Sequence, residues 1–106
     1  MAQESSRAQQ LVGDVAPKLA ELTDDVLFGD VWARPELSRR DRSLITVAAL
    51  TALGRTDQLR SHLGIALDNG VTTEELAELA THLAFYAGWP AGMTTATTLK
   101  QVLDER

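Results

Sequence analysis

A chain of 106 residues, 44% hydrophobic and 24% charged, is long enough for one globular domain and short enough that covering apolar surface with further copies of itself is a natural expectation. The absence of cysteine excludes disulfides, thiolate metal ligands and cysteine nucleophiles. A formal charge of -5 argues against generic nucleic-acid binding, which needs a basic surface.

No run of about 18 apolar residues is present to span a bilayer, and the opening MAQESSRAQQ is too polar for a secretory leader. The expectation is a cytoplasmic protein without membrane contacts, with residues 1–106 as a single domain and residues 1–10 flexible or forming a short helix. From Leu11 to Leu27 apolar residues recur mainly every three or four positions, the helical signature. Gly13 and Pro17 predict a break near its start, with Asp14 as a cap and Pro17 in the first turn. The next stretch, FGDVWARP, is a connector unusually rich in chemistry: Phe28, Asp30, Trp32 and Arg34 precede a helix-ending Pro35.

The organising segment is LSRRDRSLITVAALTALGRTDQLRSHLGIALDNG, residues 37–70. Ser38 with Asp41 marks a helix start, and Leu44, Ile45, Val47, Ala48, Leu50 and Leu53 predict a helix apolar around nearly its whole circumference. Gly54 closes it, Thr56 is positioned to cap a second helix bearing His62, and Gly70 closes that one. Beyond it, Thr72 and Glu75 have capping-box spacing. Leu76, Leu79, Ala80, Leu83, Ala84 and Ala87 form the next buried stripe, and Gly88 ends it. Pro90 opens a last helix with the stripe Met93, Ala96, Leu99, Val102 and Leu103. With no period-two strand pattern, the fold class is all-α, five or six helices.

His62 lies one turn after Leu59 and one turn before Ala66, so it points to the interior: either a proton-transfer group or a core histidine with a satisfied ring nitrogen. His82, with Tyr86 one turn on and Glu78 one turn before, is either a second proton-handling group or a hydrogen-bonded pair closing the core. Arginines crowd the first turn of the central helix, where the helix dipole already presents positive charge. Arg39 and Arg40 are read as solvated beside Asp41. Arg42, and after it Arg34, is the candidate for holding a carboxylate. Asp30 can pair Arg34 or Arg42 or orient a histidine, or simply end a helix, while Trp32 can line a pocket or plug the core. Glu74, Glu75 and Glu78 read as a solvated face. Two histidines twenty residues apart, without cysteine, make no metal-ligand spacing.

The stretches GDVWARPELSRRDRSLITVAALTALGR and LRSHLGIALDNGVTTEELAELATHLAFYAGWPAG, covering more than half of the chain, closely resemble the carboxymuconolactone decarboxylase family. The resemblance implies an all-α bundle of the alkylhydroperoxidase-D-like type, assembled as ring-shaped homotrimers or homohexamers with pockets near subunit contacts. The family's namesake removes carbon dioxide from 4-carboxymuconolactone, in protocatechuate breakdown, without a cofactor. Thiol peroxidase relatives carry a Glu, a Cys-x-x-Cys pair and a His around the same hairpin. That pattern sets His62 on the histidine, Arg55 and Gln58 on the cysteines and Ser43 on the glutamate, so thiol peroxidase chemistry has no thiolate to run on. Trp89 and Gly92 depart from the smaller aliphatic and the Ala or Asn often found in relatives, which bears on the substrate.

The expectation is a cofactor-free decarboxylase acting on a small anionic substrate, a carboxylated lactone or related unsaturated or keto acid. His62, His82 and Arg42 are its catalytic residues, and Arg34, Asp30, Trp32, Tyr86 and Trp89 its substrate-binding residues. The alternative is a non-catalytic relative that binds an aromatic or polyketide-like molecule in an oligomeric pocket.

Overall fold

The computed structural model describes residues 6–106. Among them are six α-helices and no strand, as the periodicity requires: α1 (Arg7–Val12), α2 (Pro17–Leu22), α3 (Arg39–Leu53), α4 (Thr56–Asp68), α5 (Thr73–Ala87) and α6 (Trp89–Glu105). The chain divides into two compact units, Met1–Ser38 and Arg39–Arg106. The expectation for residues 1–10 falls partly on residues 1–5, outside the described region; residues 7–10 belong to α1.

In the first unit, Ser6 caps α1 by accepting the Gln9 amide at 3.0 Å, and its hydroxyl donates to Asp24 at 2.7 Å. The break expected from Gly13 and Pro17 is present, and Pro17 takes the first helical position. The residue before it is Ala16, however, and no side chain caps α2, so Asp14 does not fill the role expected of it. A π-helix (Thr23–Phe28) and a 3-10 turn (Val31–Ala33) follow. The apolar stripe from Leu11 to Leu27 is largely exposed, and among the described residues of this unit the buried hydrophobic ones are Ala20 and Trp32. Helices of six residues are too short to build a second layer over a stripe of that length.

The second unit is two helical hairpins. α3 packs on α4 and α5, α6 packs on α5, α4 and α3, and α4 and α5 stand at opposite corners. The core is Val47 of α3, Leu59, Leu63 and Ala66 of α4, Val71 before α5, Leu76 and Leu79 of α5, and Leu99 and Val102 of α6. Gly54, Gly70 and Gly88 end α3, α4 and α5 at φ +70°, +95° and +106°, a region that side chains with a Cβ avoid. The capping box is complete: Thr72 Oγ1 accepts the Glu75 amide at 3.1 Å and Glu75 Oε1 accepts the Thr72 amide at 2.9 Å.

Three expectations need correction. α3 is not enclosed all round, since Ile45 and Leu53 are 55% and 68% exposed while Ser43, Val47 and Thr51 are buried. Thr56 does not cap α4, because Arg55 precedes the helix there and makes no side-chain cap bond. On α6 the inward residues are Gly92, Thr95, Thr98, Leu99 and Val102, with Met93 and Ala96 outside. A hydropathy pattern misreads this helix because threonine can hide its hydroxyl. Thr98 donates to the Thr94 carbonyl at 2.7 Å, and the Thr51 and Thr95 hydroxyls bond to each other at 2.7 Å, so both side chains pack as valine would.

Candidate functional site

His62 is positioned by the core face of α4, between Leu59 and Ala66. It is half-buried, its Nδ1 atom is shielded from solvent, and burial pushes the imidazole below its usual 6.5. A neutral ring is therefore the resting form near neutral pH, with one nitrogen able to accept a proton and the other to donate. Arg42, in the first turns of α3, is half-buried, and its carbonyl accepts the Thr46 hydroxyl at 2.8 Å.

Arg40 and Glu75, both expected to be solvated, instead join two helix starts. The Arg40 guanidinium reaches Glu75 at the head of α5 and Asp41 at 3.2 Å. Glu75 thus serves the capping box and the ion pair together. Its carboxyl is held below the ordinary 4.5, first by the Thr72 amide and then by Arg40, whose own guanidinium is raised by Glu75.

Asp30, Trp32 and Arg34 all belong to the first unit. Asp30 is exposed ahead of the 3-10 turn and does not cap it, Arg34 lies 3.7 Å from Glu36, and Trp32 is buried with its ring centroid 5.7 Å from that of Phe28. In the second unit, His82 and Tyr86 do meet, with rings stacked 4.8 Å apart, but on the outside of α5: both are exposed, so the pair does not close the core. His62 and His82 sit on the two helices at opposite corners of the bundle. Trp89 meets Phe85 edge to face at 5.4 Å, a partner missed in the sequence although the i, i+4 spacing was visible.

Two cavities open in the second unit. One, of about 400 Å³, is a trough between α5 and α6 floored by Ala77, Ala80, Ala84 and Gly92, with Trp89 at one end and Lys100 and Asp104 at the other. The second, of about 330 Å³, lies where α3 ends and α4 and α6 begin, and is lined by Thr51, Thr56, Thr94 and Thr95 among apolar residues. Of the site residues expected from sequence, Trp89 alone lines either of these two. Among the described residues no group of three or more His, Asp or Glu side chains is arranged to hold a metal, and no helix is long and apolar enough to cross a membrane.

An all-α bundle of two hairpins, with a half-buried histidine on the second helix of the first hairpin, is the class that fold and site define. The chain belongs to the carboxymuconolactone decarboxylase family, whose model matches residues 17–101. It is 47% identical over 78 residues to a 4-carboxymuconolactone decarboxylase of Acinetobacter baylyi, covering 74% of this chain and 58% of that protein. It is 35% identical over 89 residues to a nitrosuccinic acid decarboxylase of Metarhizium robertsii, covering 80% of this chain and 62% of the relative. The chain thus matches about three fifths of the length of each.

Proposed function

We propose that the chain is a decarboxylase of a small anionic acid, in which His62 acts as general acid and base and Arg42 holds the anion. The observation that carries this reading is the half-buried imidazole of His62 on the interior side of α4, in a chain similar to two proteins that are both named as decarboxylases. The two substrates those names contain share one chemical property. Loss of a carboxylate as carbon dioxide leaves its electron pair on carbon, and a lactone carbonyl or a nitro group can delocalise that pair onto oxygen. Fixed positive charge from Arg42 stabilises the oxyanion that develops. The carbanion is quenched by a proton from the His62 imidazolium. Burial keeps the resting ring neutral, and an entering anion raises its proton affinity, so substrate binding takes up the proton that the reaction later delivers. In this scheme no cofactor is required.

The test is carbon dioxide release from 4-carboxymuconolactone, nitrosuccinate and simple carboxylated lactones. His62→Gln should lower turnover by about two to four orders of magnitude with the melting temperature nearly unchanged. Full turnover in His62→Gln overturns the assignment, and collapse of the fold makes His62 structural. The second reading, a pocket that binds an aromatic or polyketide-like molecule without turnover, is favoured by one observation: neither cavity carries His62, His82 or Arg42 on its wall. Ligand binding with no carbon dioxide released from any acid of the panel would select it.

A further inference from the structure

Threonines in these helices dispose of their hydroxyls in two ways. Thr46, Thr81, Thr97 and Thr98 each donate to the carbonyl four residues back, at 2.7 to 3.0 Å. Thr51 and Thr95, both buried, instead bond to each other at 2.7 Å. Two hydroxyls hold two hydrogens, and the bond between them uses one. The second hydrogen has no acceptor among the described residues, in an interior where an unmade donor is costly. Both threonines stand on the wall of the cavity of about 330 Å³ where α3 ends and α4 and α6 begin, a volume within the range of small-molecule sites.

We propose that this cavity is a binding site for a compact, uncharged molecule with a carbonyl oxygen, which accepts the hydrogen that the Thr51–Thr95 pair leaves over. Three features set that chemistry. A surplus buried donor calls for an acceptor, and a carbonyl oxygen offers lone pairs without bringing a further hydrogen to be satisfied. No charged side chain lines the cavity, so a carboxylate or an amine would lose its water there without gaining a counter-charge, a penalty that a ketone or an ester escapes. Leu50, Leu53, Leu59 and Pro90 supply an apolar wall for the body of the ligand, while Thr56 and Thr94 are exposed and stand at the mouth. The inference is independent of the decarboxylase reading, because neither His62 nor Arg42 is on this wall and the ligand carries no charge.

Amide and methyl NMR on the full chain tests it with cyclohexanone as the probe. Toluene serves as a ring of similar size without an acceptor, and cyclohexanecarboxylate as the charged counterpart. Cyclohexanone should give saturable shifts at Thr51, Thr95 and Gly54 with the millimolar affinity expected of so small a ligand, and the carboxylate should bind at least tenfold more weakly. Thr51→Val leaves Thr95 with a free hydrogen and should keep the preference for cyclohexanone over toluene. Thr51→Val with Thr95→Val removes the donor while keeping the volume, and should lower that preference roughly fivefold or more. Thr94→Trp, at an exposed position on α6, should block the mouth and abolish the shifts, with helicity by circular dichroism unchanged. The absence of a saturable shift below about 50 mM overturns the proposal and assigns the hydrogen to trapped water. A preference for the ketone that the double variant retains also overturns it and makes the cavity an apolar hole, as does tighter binding of the carboxylate, which makes it an anion site.

Discussion

The hydroxyls of Thr51 on α3 and Thr95 on α6 lie 2.7 Å apart in the interior, at 2% and 0% exposure. One buried polar bond thus joins the two hairpins, and each hydroxyl is tolerable there only because of the other. Thr51→Val should cost about 1–3 kcal/mol by stranding the Thr95 hydroxyl, whereas Thr51→Val with Thr95→Val should cost less than the sum of the single changes. Urea denaturation of the four proteins gives the coupling directly.

At Gly92 the backbone of α6 comes close against α5. A Cβ built there would stand 2.7 Å from the Ala80 carbonyl oxygen and 2.7 Å from the Ala84 Cβ. Alanine ordinarily favours a helix interior by about 1 kcal/mol over glycine. Here Gly92→Ala should instead destabilise by about 1–3 kcal/mol, because both obstructing atoms belong to, or sit directly on, backbone. Thermal or urea melts check the sign.

Glu75 governs part of the acid response. Its carboxyl lies below the unfolded 4.5, chiefly through the Thr72 amide and next through Arg40. The unfolded chain therefore binds the proton first as pH drops, so the stabilisation present above about pH 4.5 is lost as pH falls through the lower, folded value. Glu75→Gln should flatten the decline of the urea midpoint in that window. Arg40→Ala should flatten it less, since the amide contact remains.

His62 carries the opposite charge type and the same slope. Its folded value is lowered from 6.5 by burial, so below 6.5 the unfolded chain binds more protons and stability falls as the solution is acidified, levelling off beneath the folded value. His62→Gln should remove that component. The imidazole proton resonances of His62 should titrate with a midpoint under 6.5, and a bound carboxylate should move that midpoint upward.

Much of the fold was legible because its determinants are local. The capping box of Thr72 and Glu75, the stops at Gly54, Gly70 and Gly88, the placement of Pro17 and Pro90 and the inward face of α5 each depend on neighbours within one or two helical turns. The inward face of α6 was not legible: threonine counts as polar in any residue scale, and only a partner 44 positions away shows that Thr95 is packed as an apolar group. Nor was the solvent side of α3, since Ile45 and Leu53 look like core until a bundle places them outside.

The sequence by itself determined the all-helical class, the stops at Gly54, Gly70 and Gly88, the capping box of α5, the family and the absence of thiols, because periodicity, capping and composition are properties of the chain read along its length. Tertiary structure alone decided that Arg40 reaches Glu75, that His82 and Tyr86 stack on an outer surface, and that a trough with aromatic projections beside it opens on one hairpin. Those facts depend on which helices become neighbours, and that is set by the packing of side chains far apart in the chain.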